Sequence, residues 1–356
     1  MSYSHITVEP ITPTIGAMIS GIDLNNVRSP AVYEEIKQAL WKHHVVFLRA
    51  QKVEPAHYLE LGRAFGEIEE HEFFPHLEGF PQIQTISHQG YDVPETDRWH
   101  ADVTFRERPS TVSILRGVDL PQGGDTMWAS MSAAFDALPD MFKTLLLSLK
   151  GHHDLPHHMR RIDYFRRVAE EGYHAGSMMS TMAQDHEFQM IKDNPVSIHP
   201  AVINHPVTRK LTLFVNSIWT SKFDEIHMDL SDCMLAMLRE WVKKPEFMVR
   251  FRWEPDSIAI WDNLATQHYA VFDYAPNYRA MHRMTAGSAK PELDMSTVPE
   301  HLRPPSAEAA ANNIPGVVDS GRLAAAPARE QAAVQAIFNA LDGVDLDRVG
   351  AKAQTL

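Results

Sequence analysis

The chain has 356 residues, enough for one large domain and a tail, and its 44% hydrophobic and 22% charged residues are typical of a globular protein. Its formal net charge of −13 disfavours a nucleic-acid partner, because an acidic surface repels phosphates. One cysteine excludes an intramolecular disulfide, and the sequence has neither a signal-peptide pattern nor an apolar run long enough to span a bilayer. We therefore expect a cytoplasmic protein without a membrane partner.

The hydrophobic pattern predicts short strands interrupted by a few helices. In chain order, the predicted elements are strands at 6–24, a helix at 29–41, a strand at 43–48, a helix at 55–65, strands within 81–122, a helix at 130–150, strands at 196–202 and 211–215, a helix at 229–243, and strands at 247–253, 257–261 and 279–285. Many short strands with helical blocks predict a mainly β fold, either a sandwich or a jelly roll, with flanking helices.

Two segments lie outside this pattern. Residues 151–195 are rich in histidine and have no clean period, and we interpret them as a partly helical insertion that serves as a lid. Residues 291–356 are rich in alanine and proline, and they are interpreted as a C-terminal extension with one possible helix. The remaining domain is placed at residues 1–290.

Three side chains could form a metal centre. His100 and Asp102 are two residues apart, and His268 follows a strongly apolar strand. Two histidines and one carboxylate are the ligands of non-haem Fe(II) oxygenases, in which three coordination positions stay open.

Two arginines extend the candidate site. Arg279 and Arg283 are four residues apart in a predicted strand, so they should point to the same face. Guanidinium groups bind carboxylate-like or sulfonate-like anions through paired hydrogen bonds.

A series of motifs adds to these residues. In order, the chain carries the segments WHADVTF (99–105), GGDTMW (123–128), HP (199–200), NHP (204–206), FVN (214–216), KPEF (244–247), RWEP (252–255), IAIWDN (258–263), TQHY (266–269) and MHR (281–283). This ordered set resembles the TauD/TfdA family, the taurine/α-ketoglutarate dioxygenases that depend on Fe(II) and 2-oxoglutarate. The resemblance covers roughly residues 1–290, and the C-terminal extension lies outside it.

The resemblance implies a double-stranded β-helix fold and a catalytic iron held by His100, Asp102 and His268. It also implies that Arg279 and Thr126 bind the far carboxylate of 2-oxoglutarate. The implied reaction uses O2 to hydroxylate a C–H bond while 2-oxoglutarate becomes succinate and CO2. The family commonly forms dimers or tetramers, so a homo-oligomer is expected.

The same resemblance suggests a small anionic organic substrate. Arg283 matches the arginine that holds the sulfonate of taurine, His71 lies at the same end, and the backbone at Val103 would assist. Phe74 and Thr96 depart from the taurine enzymes, which have tyrosine and asparagine at these positions. We therefore expect a less polar substrate than taurine, either an alkyl sulfonate or an alkyl sulfate.

Two further residues are candidates for substrate contacts. Phe105 would line the apolar part of the pocket with Phe74, and His158, at the start of the lid, would contact the substrate. Three alternatives stay open: the same chemistry on an aryloxyalkanoate or other carboxylate, a binding protein on an inactive scaffold, and a zinc hydrolase. The zinc hydrolase gives no role to Arg279 or Thr126.

Overall fold

The computed structural model describes residues 3–27, 29–71, 74–90, 96–159 and 184–304, and these form a mainly β structure with helices. The strands are β1 (Thr7–Pro10), β2 (Ala17–Ser20), β3 (Val45–Leu48), β4 (His76–Leu77), β5 (Phe80–His88), β6 (Ser110–Asp119), β7 (Thr126–Ser130), β8 (Lys150–His153), β9 (Ser197–Pro200), β10 (Val202–Asn204), β11 (Leu211–Leu213), β12 (Thr220–Phe223), β13 (Met248–Phe251), β14 (Ile258–Asp262), β15 (Thr266–Ala270) and β16 (Arg279–Ser288). The helices are α1 (Pro30–His43), α2 (Pro55–Ala64), α3 (Met131–Asp136), α4 (Asp140–Leu147), α5 (Gln184–Asp193) and α6 (Met228–Trp241).

The largest sheet has eight strands in the order β1-β2-β3-β14-β6-β16-β5-β4. A three-stranded sheet, β13-β7-β15, packs against one face of it through an aromatic layer. In this layer Phe47 of β3 stacks on Phe251 of β13, and Trp128 of β7 lies against Trp261 of β14. A second three-stranded sheet, β12-β8-β9, and the β10-β11 pair complete the described strands.

The central strands of the large sheet are buried on both faces. Val46 and Ile260 pack beneath α1 and α2, whereas their neighbours Phe47 and Trp261 face the smaller sheet. This double burial explains why β3 and residues 258–261 of β14 are unbroken apolar runs rather than alternating apolar and polar residues.

The predicted helix at 130–150 is wrong in its extent. The structure has two helices, α3 and α4, and then strand β8. Pro139 separates the helices because it has no backbone N–H and disfavours helical geometry at Leu138. Ser130 caps α3 by accepting a hydrogen bond from the backbone N–H of Ala133.

The two segments with unusual composition are partly described. The proposed lid begins within a sheet, because Lys150–His153 pairs with both β9 and β12, and residues 160–183 lie outside the described residues. Beyond residue 290, Val298 and Leu302 are buried in the core that contains α4, so at least this part of the predicted extension packs on the main domain. The proposed helix of the extension lies outside the described residues.

Among the described residues, no helix has the length and apolar character needed to cross a membrane. The cytoplasmic location and the homo-oligomer stay predictions.

Candidate active site

Two candidate metal ligands face each other through their backbones. His268 lies on β15, and His100 lies in the connection between β5 and β6. The two residues form an antiparallel bridge, with N–H to carbonyl distances of 3.0 Å from His100 to His268 and 2.7 Å in the other direction. This bridge places their imidazole rings 4.0 Å apart, although 168 residues of sequence separate them.

Asp102 completes the group. Its Oδ1 atom lies 3.9 Å from the Nε2 atoms of both histidines, and all three side chains are buried. The Nδ1 atom of His100 is 2.7 Å from the carbonyl of Arg98, which can only accept, so this nitrogen carries the proton and Nε2 presents a lone pair. Burial lowers the pKa of His268 to about 3, assisted by its neighbour His100, so the imidazole is neutral and able to ligate a metal.

The carboxylate of Asp102 is held in place from several sides. Ser113 donates a hydrogen bond of 2.7 Å to Oδ2, and Nη1 of Arg283 lies 3.3 Å from Oδ1. Burial alone would raise the pKa of Asp102, but Arg283 and the two histidines lower it well below its usual range. The side chain of Asn263 hydrogen-bonds both the N–H and the carbonyl of Asp102, and it thereby orients the backbone of the turn.

These residues line one cavity of about 110 Å³. The structure places eleven of the twelve candidate residues on its wall: His71, Phe74, Thr96, His100, Asp102, Val103, Thr126, His158, His268, Arg279 and Arg283. The other lining residues are mainly apolar or aromatic, among them Ile86, Leu115, Trp219, Tyr274 and Met281. A largely apolar pocket with a few convergent polar groups is typical of a small-molecule site.

Phe105 is the one candidate residue that is not among the described residues lining this cavity. It is buried, but its ring packs behind Trp219 at a centroid distance of 4.6 Å, and Trp219 forms the wall instead. The prediction that Phe105 lines the pocket is therefore wrong. The backbone turns at Val103, so Phe105 points into the cluster that contains Leu155 and Met190.

Arg279 enters the cavity beside the start of β7. Its Nη2 atom donates to the carbonyl of Gly124 at 3.1 Å, and its Nε atom has no hydrogen-bond partner in the part of the chain that the structure describes. Gly124 has φ +71°, and a Cβ atom there would lie 2.9 Å from Nε of Arg279. Thr126, two residues later, accepts a hydrogen bond of 3.0 Å from Trp253. A buried guanidinium with few protein acceptors is well suited to bind a carboxylate.

Arg283 lies on the same face of β16 as Arg279, four residues further along the strand. Its Nε atom donates to Gln84 of β5 at 2.8 Å, and its guanidinium lies 4.7 Å from the ring centroid of Phe74. The ring of His71 packs against Phe74, and burial lowers the pKa of His71 to about 3, with a further lowering by Arg283. This end of the cavity therefore combines one fixed positive charge with a neutral imidazole.

Several residues at the site were not anticipated. Gln84 and Ser113 contact the charged groups, and neither belongs to a recognisable motif, because only the pairing of β5 and β6 with β16 brings them close. Arg98 was also missed. It donates from Nη2 to Nδ1 of His158 at 3.2 Å and supports that side chain on the cavity wall.

The donor set fits a divalent metal with open coordination positions. Two neutral imidazoles and an ionised carboxylate lie close together in a buried site, with their candidate ligand atoms all within 4.8 Å of one another. This is the ligand set of non-haem Fe(II) oxygenases, and the buried guanidinium of Arg279 places a positive charge in the same cavity.

Comparisons with known proteins agree with this geometry. The family described as "Taurine catabolism dioxygenase TauD, TfdA family" matches residues 7–285. An alkylsulfatase of Acinetobacter baylyi is 31% identical over 291 residues, which cover 79% of this chain and 84% of the relative. An α-ketoglutarate-dependent sulfate ester dioxygenase of Pseudomonas putida is 31% identical over 289 residues, or 81% of this chain and 91% of the relative.

A solved structure of a taurine dioxygenase from Burkholderia xenovorans superposes with a TM-score of 0.64 at 30% identity, covering 80% of this chain and 91% of that one. The resemblance found in the sequence motifs is thus confirmed. The chain belongs to the TauD/TfdA family of dioxygenases.

Proposed function

We propose that the chain hydroxylates the carbon next to the ester oxygen of an alkyl sulfate or next to the sulfur of an alkyl sulfonate. It is an α-ketoglutarate-dependent dioxygenase, and its cofactors are Fe(II), 2-oxoglutarate and O2. The sulfur-containing substrate is supported chiefly by the position of Arg283, a buried cation in a largely apolar cavity next to Asp102. The names of the two bacterial relatives point to the alkyl sulfate first.

In this proposal, His100, Asp102 and His268 hold the iron, and Arg279 and Thr126 bind the far carboxylate of 2-oxoglutarate. The bound cofactors supply the oxidation: 2-oxoglutarate is converted to succinate and CO2, and one atom of O2 enters succinate while the other hydroxylates the substrate. The remaining catalytic work is positioning and exclusion of water, which the protein side chains perform.

Arg283 and His71 would bind the sulfate or sulfonate group, and the apolar wall would hold the alkyl body. Hydroxylation converts the carbon next to the ester oxygen into a hemiacetal carbon. This adduct collapses to an aldehyde and sulfate, with loss of the hydroxyl proton. The corresponding adduct of a sulfonate gives an aldehyde and sulfite.

We further propose that the eight-stranded sheet and the β13-β7-β15 sheet are the two sides of a double-stranded β-helix. The aromatic layer between them and the cavity, which is lined by residues of both sheets, support this assignment. Residues at the start of the predicted lid, including His158, would then cover the substrate.

A substrate panel tests the proposal. The Fe(II)-loaded protein is assayed with 2-oxoglutarate and with medium-chain alkyl sulfates, alkyl sulfonates, taurine and phenoxyacetates. Succinate, O2 uptake, sulfate and sulfite are measured in parallel. We expect succinate formation matched by sulfate release from an alkyl sulfate or by sulfite release from a sulfonate.

Turnover of phenoxyacetates alone would overturn the choice of a sulfur substrate while leaving the dioxygenase chemistry in place. Sulfate release without O2 uptake would instead indicate hydrolysis. Stimulation of O2 uptake by an alkyl sulfate without release of sulfate would contradict hydroxylation at the carbon next to the ester oxygen.

The double variant Phe74→Tyr, Thr96→Asn should increase turnover of taurine relative to an alkyl sulfate. Both side chains line the cavity, and the change adds a phenol hydroxyl and a side-chain amide as hydrogen-bond partners for the ammonium group of taurine. Leaving such a group unpaired costs about 1–3 kcal/mol, so the ratio of the two kcat/KM values should shift by roughly 10-fold or more. The two single variants, measured in the same assay, are the controls. An unchanged ratio in the double variant would contradict the assigned role of this wall.

Gly124→Ala should weaken binding of 2-oxoglutarate by on the order of 10-fold, because the added Cβ would displace the Arg279 guanidinium. The alanine would also have to adopt φ +71°, which is unfavourable for a residue with a Cβ. Gly79→Ala is a matched control, since it has φ +79° and no atom within 4 Å of the added Cβ. Calorimetry with the Mn(II)-loaded protein measures both affinities. Equal losses in the two variants would show that backbone strain alone, and not Arg279, accounts for the effect.

A further inference from the structure

The turn that carries Asp102 contains an unfavourable backbone conformation. Val103 has φ +47°, a region that β-branched residues rarely adopt, and the turn is closed by a hydrogen bond from the N–H of Arg106 to the carbonyl of Val103. Residues 101–105 are all buried. Such a conformation persists only when its surroundings hold it in place, and such features are frequent at functional sites.

A network of buried polar side chains, none of them among the described residues that line the cavity, contacts this turn. Thr104 accepts a hydrogen bond of 2.9 Å from Nδ2 of Asn216, and its hydroxyl lies 2.9 Å from Nδ1 of His153. The other ring nitrogen of His153 is 3.3 Å from the hydroxyl of Thr220. Because Thr104, His153 and Thr220 have no measurable exposure, these contacts are not exchanged for water.

His199 holds the backbone on both sides of Phe105. Its Nε2 atom is 3.0 Å from the carbonyls of both Thr104 and Arg106, so it must carry a proton and donate to them. Trp219 also donates, from its indole nitrogen to the carbonyl of Ala101 at 2.9 Å. Three successive parts of the turn are therefore bound by side chains from distant parts of the chain.

This arrangement lies outside the candidate catalytic wall. The described residues that line the cavity do not include Thr104, His153, His199 or Asn216. They nevertheless bind the residues directly following Asp102, while Asn263 binds the backbone of Asp102 itself from another side. The turn is thus held between Asn263 and a buried network supplied by β8, β9 and the segment after β11.

We propose that Thr104, His153, Asn216 and His199 are positioning residues for the metal ligand Asp102 and for the Val103 backbone. This inference rests on the proposed function of the site. The network would set the direction of the Asp102 carboxylate and keep the substrate-facing backbone at its place, so that decarboxylation of 2-oxoglutarate stays coupled to hydroxylation. Partners that orient metal ligands in this way commonly change metal affinity or activity by 10- to 100-fold when they are removed.

Thr104→Val tests the proposal, because it keeps the shape of the side chain and removes the hydroxyl. We expect Mn(II) to bind on the order of 10-fold more weakly in calorimetry, and the ratio of succinate to released sulfate or sulfite to rise. Thr104→Ser, which keeps the hydroxyl, should restore both values. Thr212→Val is the matched control, since Thr212 is equally buried and bonds to Ser132 away from the turn.

The proposal is overturned if Thr104→Val and Thr212→Val lower the melting temperature equally while Mn(II) affinity and the succinate ratio stay at the wild-type values. If Thr104→Val does not fold, His199→Phe is measured instead, because it keeps an aromatic ring and removes the donor to both carbonyls. The same unchanged values would then overturn the proposal. Mn(II) binding does not depend on the substrate, so failure of every sulfur compound in the wild type would contradict the proposed function and leave this result interpretable.

Discussion

Arg279→Met is expected to weaken binding of 2-oxoglutarate by about 100-fold or more. The guanidinium is buried, lines the cavity and has the carbonyl of Gly124 as its described hydrogen-bond acceptor. Its removal would leave the far carboxylate of the cosubstrate without a buried cation, and breaking such a pair costs about 3–5 kcal/mol. Calorimetric titration of the Mn(II)-loaded protein with 2-oxoglutarate measures the loss, and the KM for 2-oxoglutarate should rise in parallel.

Arg250→Met provides the control for this prediction. Arg250 lies near the same end of the protein and pairs with Asp125, but it is half-exposed and lies outside the described cavity wall. The Arg250→Met variant should therefore bind 2-oxoglutarate with the same affinity as the wild type. If Arg279→Met kept the wild-type affinity, the assignment of the cosubstrate end of the cavity would be wrong.

Arg283→Met is expected to lower kcat/KM for the sulfur substrate by on the order of 100-fold, because the anion would lose its only buried cationic partner at that end of the described cavity. Formation of succinate in the absence of substrate should persist, since Arg279 and the three proposed metal ligands are unchanged. Steady-state kinetics with an alkyl sulfate, together with succinate formation without it, separate these two effects.

The contact between Arg283 and Asp102 requires a second measurement. The Nη1 atom of Arg283 is 3.3 Å from Oδ1 of Asp102. Removing the guanidinium would therefore also remove a contact of this proposed metal ligand. Mn(II) affinity near the wild-type value would assign the effect to the substrate. Arg116→Met is the matched control, because Arg116 pairs with Asp256 in the turn before β14 and lies outside the described cavity wall. A weaker Mn(II) affinity combined with an unchanged KM would contradict the substrate role.

The sequence predicted the elements whose burial follows a simple rule. β14 is visible as an apolar run because both of its faces are covered, and α1 is visible from its spacing and its Ser29 cap. β8 was missed, because Gly-His-His has no strand pattern. Its stability comes from pairing with β9 and β12 and from the buried contacts of His153, all of which are tertiary.

The candidate site likewise contains residues that the sequence predicted and contacts that it did not. The chemistry of His100, Asp102 and His268 could be proposed from motifs, and the alternation along β16 explains why Arg279 and Arg283 share a face. The contacts that orient these groups could not be predicted. Gln84 reaches Arg283 only through the register of β5 against β16, and Asn263 reaches Asp102 across 161 residues of sequence.

The shared strand has a consequence for the length of the substrate. Since a strand rises about 3.4 Å per residue, the Cα atoms of Arg279 and Arg283 are about 14 Å apart along β16. Each guanidinium is also bound by a neighbouring group, Arg279 to the carbonyl of Gly124 and Arg283 to Gln84, so the two proposed anion sites are anchored separately along one strand. A longer alkyl chain would extend along the apolar wall, and the carbon attached to the anionic group would keep its place. Substitutions in that wall could thus change the preferred chain length without moving the point of oxidation.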